Sequence, residues 1–116
     1  MHAGFLIDFF PSEAGKKIGL KKINNRQDAY DRFGDAWDQL KELAGDKVTL
    51  YVENNVLSKS NLDTYKKNNP FLFTDYESWL EFSAEIDSNL LLDFAHLRVS
   101  CSSLGLSFDK EVERLV

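Results

Sequence analysis

Two short stretches of this chain place acids and imidazoles at the ends of apolar runs. In Asn89 to Gly105, three consecutive leucines end at Asp93, and His96 follows three residues later. In Lys47 to Asn55, apolar or β-prone residues from Val48 to Val52 end at Glu53. A carboxylate at the carboxyl end of a buried strand stands at the rim where α/β folds bind ligands. If the two strands are parallel neighbours, Glu53 and Asp93 reach the same rim, and carboxylates that close call for a shared cation or proton. The only histidines, His2 and His96, both fall beside this rim. His2, Glu53, Asp93 and His96 together offer nitrogen and oxygen donors suited to zinc, manganese or iron.

Plainer roles compete for each residue. Asp93 could cap the segment that follows it, Glu53 could pair with a loop lysine, and His2 could be a terminal surface group. Asn54 and Asn55 could orient Glu53 or ligand oxygens, but Asn-Asn after a strand also makes turns. Arg98 suits an anionic substrate and equally a surface ion pair. Cys101 has no base near it in sequence and no zinc-finger spacing, so it reads as a small packed side chain.

The elements that must hold these residues follow from periodicity and caps. His2-Ala3-Gly4 reads as the end of a strand. Phe5 to Phe10 either extends it or folds as an apolar loop over the site, and Pro11 and Gly15 break regular structure. Asn24 or Asn25 caps a helix to about Leu43, whose buried stripe is Tyr30, Phe33, Trp37, Leu40 and Ala44. Gly45 stops it. Lys47 to Val52 is a strand, with Val48, Leu50 and Val52 on one side and Thr49, Tyr51 and Glu53 on the other. The connection from Asn54 to Phe73 is long enough to be a flap, or to hide a short helix near Leu62 to Lys66. Thr74 and Glu77 form a capping box for a helix facing inward through Tyr76, Trp79, Leu80, Ser83 and Ile86. Asn89 starts the leucine strand, which reads as buried on both faces. A brief helix or ordered loop continues to Leu104, and Ser107 caps a last segment through Phe108, Val112 and Leu115. Strands alternating with amphipathic helices imply parallel βαβ units in one α/β domain spanning residues 1–116.

Composition narrows the function. A chain of 116 residues holds one core, and 43% hydrophobic with 28% charged residues is ordinary for a globular domain. No apolar run reaches the roughly 20 residues that span a bilayer, and no signal peptide is evident, so no membrane partner is expected. The single cysteine fits a reducing compartment, and the expected location is cytoplasmic. A net charge of -5 disfavours broad nucleic-acid binding without excluding it, and the basic cluster Lys16, Lys17, Lys21 and Lys22 reads as solvated surface. Dinucleotide, phosphate-loop, serine-elbow and His-Glu-x-x-His signatures are absent from the sequence.

His2-Ala3-Gly4, Tyr51-Val52-Glu53-Asn54 and Leu92-Asp93-Phe94-Ala95-His96, in this order, resemble the xylose-isomerase-like TIM-barrel superfamily. That group includes divalent-metal sugar isomerases and epimerases and the endonuclease IV enzymes that cut DNA at abasic sites. The resemblance implies a metal set of His2, Glu53, Asp93 and His96, with Mn, Zn, Fe, Co or Mg as the ion. In the epimerase branch it implies Glu53 as acid/base and His96 as a substrate-binding, catalytic residue. In the endonuclease branch Glu53 bridges metals, and Asp93 and His96 are further ligands. Leu90 to Gly105 is also similar to a barrel family of iron-dependent oxidases, including enzymes of methanobactin biosynthesis, which usually have Asn at the place of His96. A complete (β/α)8 barrel takes about 250 residues, so the expected fold is a partial TIM barrel: a truncated product, a piece of a larger enzyme, or a self-associating fragment. The expected partners are a small sugar or sugar-like substrate and a second copy of the chain. A noncatalytic fragment acting only through association is the remaining alternative.

Overall fold

Asn25 starts the first helix: its side-chain oxygen accepts the amides of Gln27 and Asp28, satisfying donors that have no partner inside the helix. This helix, α1 (Arg26–Ala44), buries Ala29, Tyr30, Phe33 and Trp37; Leu40 and Ala44, the later members of the expected stripe, are half-buried. A single 3-10 turn, Gly45–Lys47, leads to β1 (Tyr51–Glu53). Then follow α2 (Lys59–Thr64), α3 (Tyr76–Glu85), β2 (Asn89–Leu91), α4 (Phe94–Leu104) and α5 (Phe108–Leu115). The computed structural model describes residues 1–4, 6 and 22–116. The breaks at Pro11 and Gly15, the basic side chains of Lys16, Lys17 and Lys21, and all of the proposed apolar cover over 5–10 except Leu6 lie outside the described residues.

β1 and β2 are parallel neighbours, with Glu53 opposite Leu91. The N-terminal residues run parallel to the other edge of β1. The Met1 amine donates to the Tyr51 carbonyl at 3.0 Å, the Glu53 amide to Met1 at 2.7 Å, and the Ala3 amide to Glu53 at 2.9 Å. His2 therefore stands beside Glu53 in a parallel bridge. The chain is of the mixed α/β class, with parallel strands connected through helices.

Alternation sorts the side chains onto two faces. Ala3 and Val52 are buried on the helix side, where Leu90 packs against the same core. Residues opposite each other in a parallel pair share a face, so Tyr51, Glu53, Asn89 and Leu91 lie on the other side. Tyr51 is 46% exposed and Leu91 51% exposed. The leucine strand is thus covered on one face only, contrary to the two-sided burial its composition implied. Helices α1, α3 and α5 contribute side chains to the core that holds Val52, whereas Leu91 is about half exposed.

The core centres on Phe82, whose ring lies 5.3 Å from Phe33, 5.9 Å from Phe73 and 6.1 Å from both Tyr30 and Trp79. A smaller cluster of Leu57, Leu62, Tyr65 and Phe71 fills the space under the connection after β1. That connection was open to reading as a flap. Its short helix α2 begins at Lys59, three residues before the expected place, because Ser58 accepts the Asn61 amide as its cap. Leu57, Leu72 and Phe73 are fully buried, and Ser100 and Ser103 hold the Leu57 backbone to α4 at 2.9 and 2.7 Å. It is a packed crossing.

Further details differ from expectation: on α3, Leu80 and Ser83 are exposed and Phe82 is the fully buried residue. The regular strand before Glu53 starts at Tyr51 rather than Lys47, and Val48 is exposed. The α3 cap is Asp75 with Ser78, one residue later than the Thr74 and Glu77 box; Ser78 Oγ donates to Asp75 Oδ1 at 2.6 Å and Thr74 Oγ1 donates to it at 2.9 Å. The start of α3 is also held from outside: buried Glu111 on α5 accepts the Tyr76 amide at 2.8 Å.

Gly4 marks where the N-terminal segment presses on this core. A Cβ added there would meet Leu72 Cδ1 at 2.8 Å and Phe33 Cδ2 at 3.0 Å, both on buried side chains. Gly4→Ala is expected to destabilise the fold by about 1–3 kcal/mol through overpacking, measured as a lower urea midpoint at unchanged slope. No helix among the described residues is long and apolar enough to cross a membrane.

Candidate metal centre

The carboxyl ends of the three parallel segments gather His2, Glu53 and Asp93, and α4 adds His96. Parallel pairing puts His2 and Glu53 side by side on the exposed face of the sheet. There His2 Nδ1 lies 3.4 Å from Glu53 Oε2, and the His2 and His96 rings are 5.9 Å apart at their centroids. Asp93 ends the β2 segment and is the N-cap of α4, its Oδ1 accepting the His96 amide at 2.9 Å. His96 therefore sits in the first turn of a helix that begins at Phe94, earlier than its sequence suggested. The D-x-x-H spacing has a local cause: a cap and the third helical residue share one hydrogen bond, which brings their side chains to the same side.

His96 faces both acids. Its Nδ1 is 2.9 Å from the Asn54 carbonyl and 3.8 Å from Glu53 Oε1. Its Nε2 is 3.6 Å from Asp93 Oδ2. A carbonyl oxygen only accepts, so Nδ1 carries the proton and Nε2 is left to accept a proton or ligate a cation. The amide donated by His96 holds the Asp93 carboxyl below the usual carboxylate range, and a hydrogen bond with the Glu53 carboxyl acts in the same direction. Asp93 Oδ1 is committed to the helix cap; Oδ2 is the oxygen that meets His96 Nε2.

Ligand atoms of His2, Glu53 and His96 all lie within 4.8 Å of one another. Two atoms bound to one ion at about 2.1 Å in tetrahedral geometry stand about 3.4 Å apart. The His2–Glu53 pair at 3.4 Å and the Asp93–His96 pair at 3.6 Å match that spacing before any rearrangement. The donor set of two imidazoles and two carboxylates fits zinc, manganese, iron or cobalt, whereas magnesium favours oxygen and water. Of the four sequence candidates, the three-residue cluster contains His2, Glu53 and His96, and Asp93 adjoins it through His96.

Other residues take plainer places. The Arg98 guanidinium covers the Phe108 ring at 4.0 Å. Cys101 is buried, and that burial pushes its thiol up, with the charges of Glu111 and Asp75 adding to the effect. It is a packing group, as its isolation in sequence suggested. A cavity of about 420 Å³ lined by Trp37, Lys41, Val48, Asp87, Ser88 and Asn89 lies at the amino ends of the strands, away from the four candidates. Comparisons with protein-family models, with curated proteins and with solved structures returned no match.

Proposed function

We propose that this chain forms part of a (β/α) barrel of the xylose-isomerase-like kind, and that its His2, Glu53, Asp93 and His96 side chains hold a divalent metal for sugar isomerisation or epimerisation. The observation that carries this reading is the meeting of His2, Glu53 and His96 within 4.8 Å at the carboxyl ends of parallel segments. Tyr51 and Leu91 stand exposed on the same face as Glu53, as positions lining a barrel interior would once its remaining strands are absent.

When bound, the metal would supply Lewis-acid polarisation of a substrate carbonyl and its neighbouring hydroxyl. Glu53 would be the proton carrier for isomerisation: its carboxylate would remove a proton from the carbon next to the carbonyl and return it, on the same face, to the former carbonyl carbon, whereas epimerisation would also require an acid on the opposite face of the sugar. His96, held through Nδ1, presents Nε2 to the metal or to a sugar hydroxyl, and Asp93 contributes Oδ2. β2 has no partner on its outer edge among the described residues. With Leu91 and Phe94 about half exposed beside it, this edge supports completion of the sheet by further strands, which self-association would supply.

Two separate pairs at ligand spacing, His2–Glu53 and Asp93–His96, favour a second reading, in which Glu53 bridges two ions for phosphodiester hydrolysis at abasic DNA. Metal counting and activity on the same preparation separate the two. One ion per chain with aldose–ketose or epimer interconversion is the expected result. Two ions with cleavage of an abasic duplex would establish the second reading, and failure to retain any ion would overturn both.

A further inference from the structure

We infer that Asn54 is the positioning residue of the proposed metal centre, a role resting on the metal-site reading above. Its side chain is fully buried and makes two hydrogen bonds to the backbone of one residue, Asp93. Oδ1 accepts the Asp93 amide at 2.7 Å, and Nδ2 donates to the Asp93 carbonyl at 3.1 Å. The regular pairing of β1 with β2 ends at Glu53 and Leu91. Asn54 therefore continues it by a side chain, supplying one donor and one acceptor as a strand residue would.

The backbone of Asn54 completes a closed loop. Asp93 Oδ1 accepts the His96 amide, and His96 Nδ1 donates back to the Asn54 carbonyl at 2.9 Å. One residue next to Glu53 thus sets where Asp93 stands, where α4 begins and which nitrogen of His96 is free. A ring nitrogen held by a carbonyl is the arrangement that fixes a metal-binding imidazole, and it leaves Nε2, 3.6 Å from Asp93 Oδ2, as the nitrogen able to take a cation. Asn55 braces the opposite side: its Nδ2 donates to the Ala3 carbonyl at 2.7 Å and to that of Gly4 at 3.2 Å, next to His2. Neither amide touches Glu53, so the pair orients the neighbours of the central acid.

The test compares Asn54→Ala with Ser103→Ala, which removes a hydroxyl bonded to the Leu57 and Val99 carbonyls away from the site. Zinc and cobalt affinities are measured calorimetrically, and imidazole nitrogen NMR is recorded on metal-free protein. Asn54→Ala is expected to weaken metal binding about 10- to 100-fold, the usual effect of losing a group that orients a ligand. Ser103→Ala is expected to leave affinity unchanged while lowering the melting temperature. In wild-type protein His96 is expected as the Nδ1–H tautomer, a signal that needs neither metal nor a folded variant. Metal binding by wild type with equal affinity in Asn54→Ala would overturn the positioning role, and so would an Nε2–H tautomer of His96. Absence of metal binding in wild type together with the Nδ1–H tautomer would reject the metal reading and leave the Asn54 linkage standing.

Discussion

Replacing Glu53 with Gln is expected to reduce zinc or cobalt affinity by at least about 100-fold, beyond the 10- to 100-fold typical of outer-shell changes. Glu53 is the one acid of the three-residue cluster: its Oε2 is 3.4 Å from His2 Nδ1, and ligand atoms of Glu53, His2 and His96 lie within 4.8 Å of one another. Gln keeps the shape, removes the negative charge and exchanges one acceptor oxygen for an amide donor aimed among ligand atoms. The backbone bonds of residue 53, to Met1 and Ala3, do not depend on its side chain. The folding free energy should therefore move by no more than about 0.5 kcal/mol, as for a partly exposed polar exchange. Calorimetric metal titration beside urea unfolding separates the two quantities: large loss of binding at constant stability is the expected pattern.

Phe82→Ala should show the reverse. Its ring is fully buried among Tyr30, Phe33, Phe73 and Trp79, and those side chains come from α1, from α3 and from the crossing before it. Truncation leaves a void that four rings cannot close together, and losses of about 3–5 kcal/mol are typical for such sites. Against a total stability of about 5–15 kcal/mol, that is the largest effect expected from a single change here. Urea unfolding followed by tryptophan fluorescence measures it, since Trp37 and Trp79 belong to the same cluster. Phe82→Leu, which fills much of the volume, should recover most of the loss.

What could be read from residue order, and what could not, divides along a physical line. Local and periodic features were legible: the Tyr30, Phe33 and Trp37 stripe, the Asn25 and Ser107 caps, and the stop at Gly45 each depend on residues within a few positions. That Glu53 and Asp93 would reach the same end of the sheet was legible for a related reason, because parallel strands joined by helices end on one side. Neighbouring alternatives were harder. Thr74 and Asp75 can both cap, and the choice fell to Asp75 because Ser78 bonds it and Glu111 arrives from a distant helix.

The leucine strand shows a different limit. Leu90 and Leu91 are equally apolar, yet only the Leu90 side meets the core, since hydrophobicity gives no count of the layers available to cover it. Asn54 and Asn55 were visible as amides beside an acid, but their partners lie 39 to 52 residues away, and local turn chemistry gives no hint of such bonds. Phe71, Leu72 and Phe73 were assigned to a connection and are buried. An apolar run without periodicity does not announce whether it packs or spans.

Zinc K-edge X-ray absorption on protein loaded with one equivalent of zinc tests the metal centre most directly, because the chain has only two histidines, His2 and His96. A coordination shell with two imidazoles and at least one carboxylate oxygen is the expected result. A shell with one imidazole or none would contradict it.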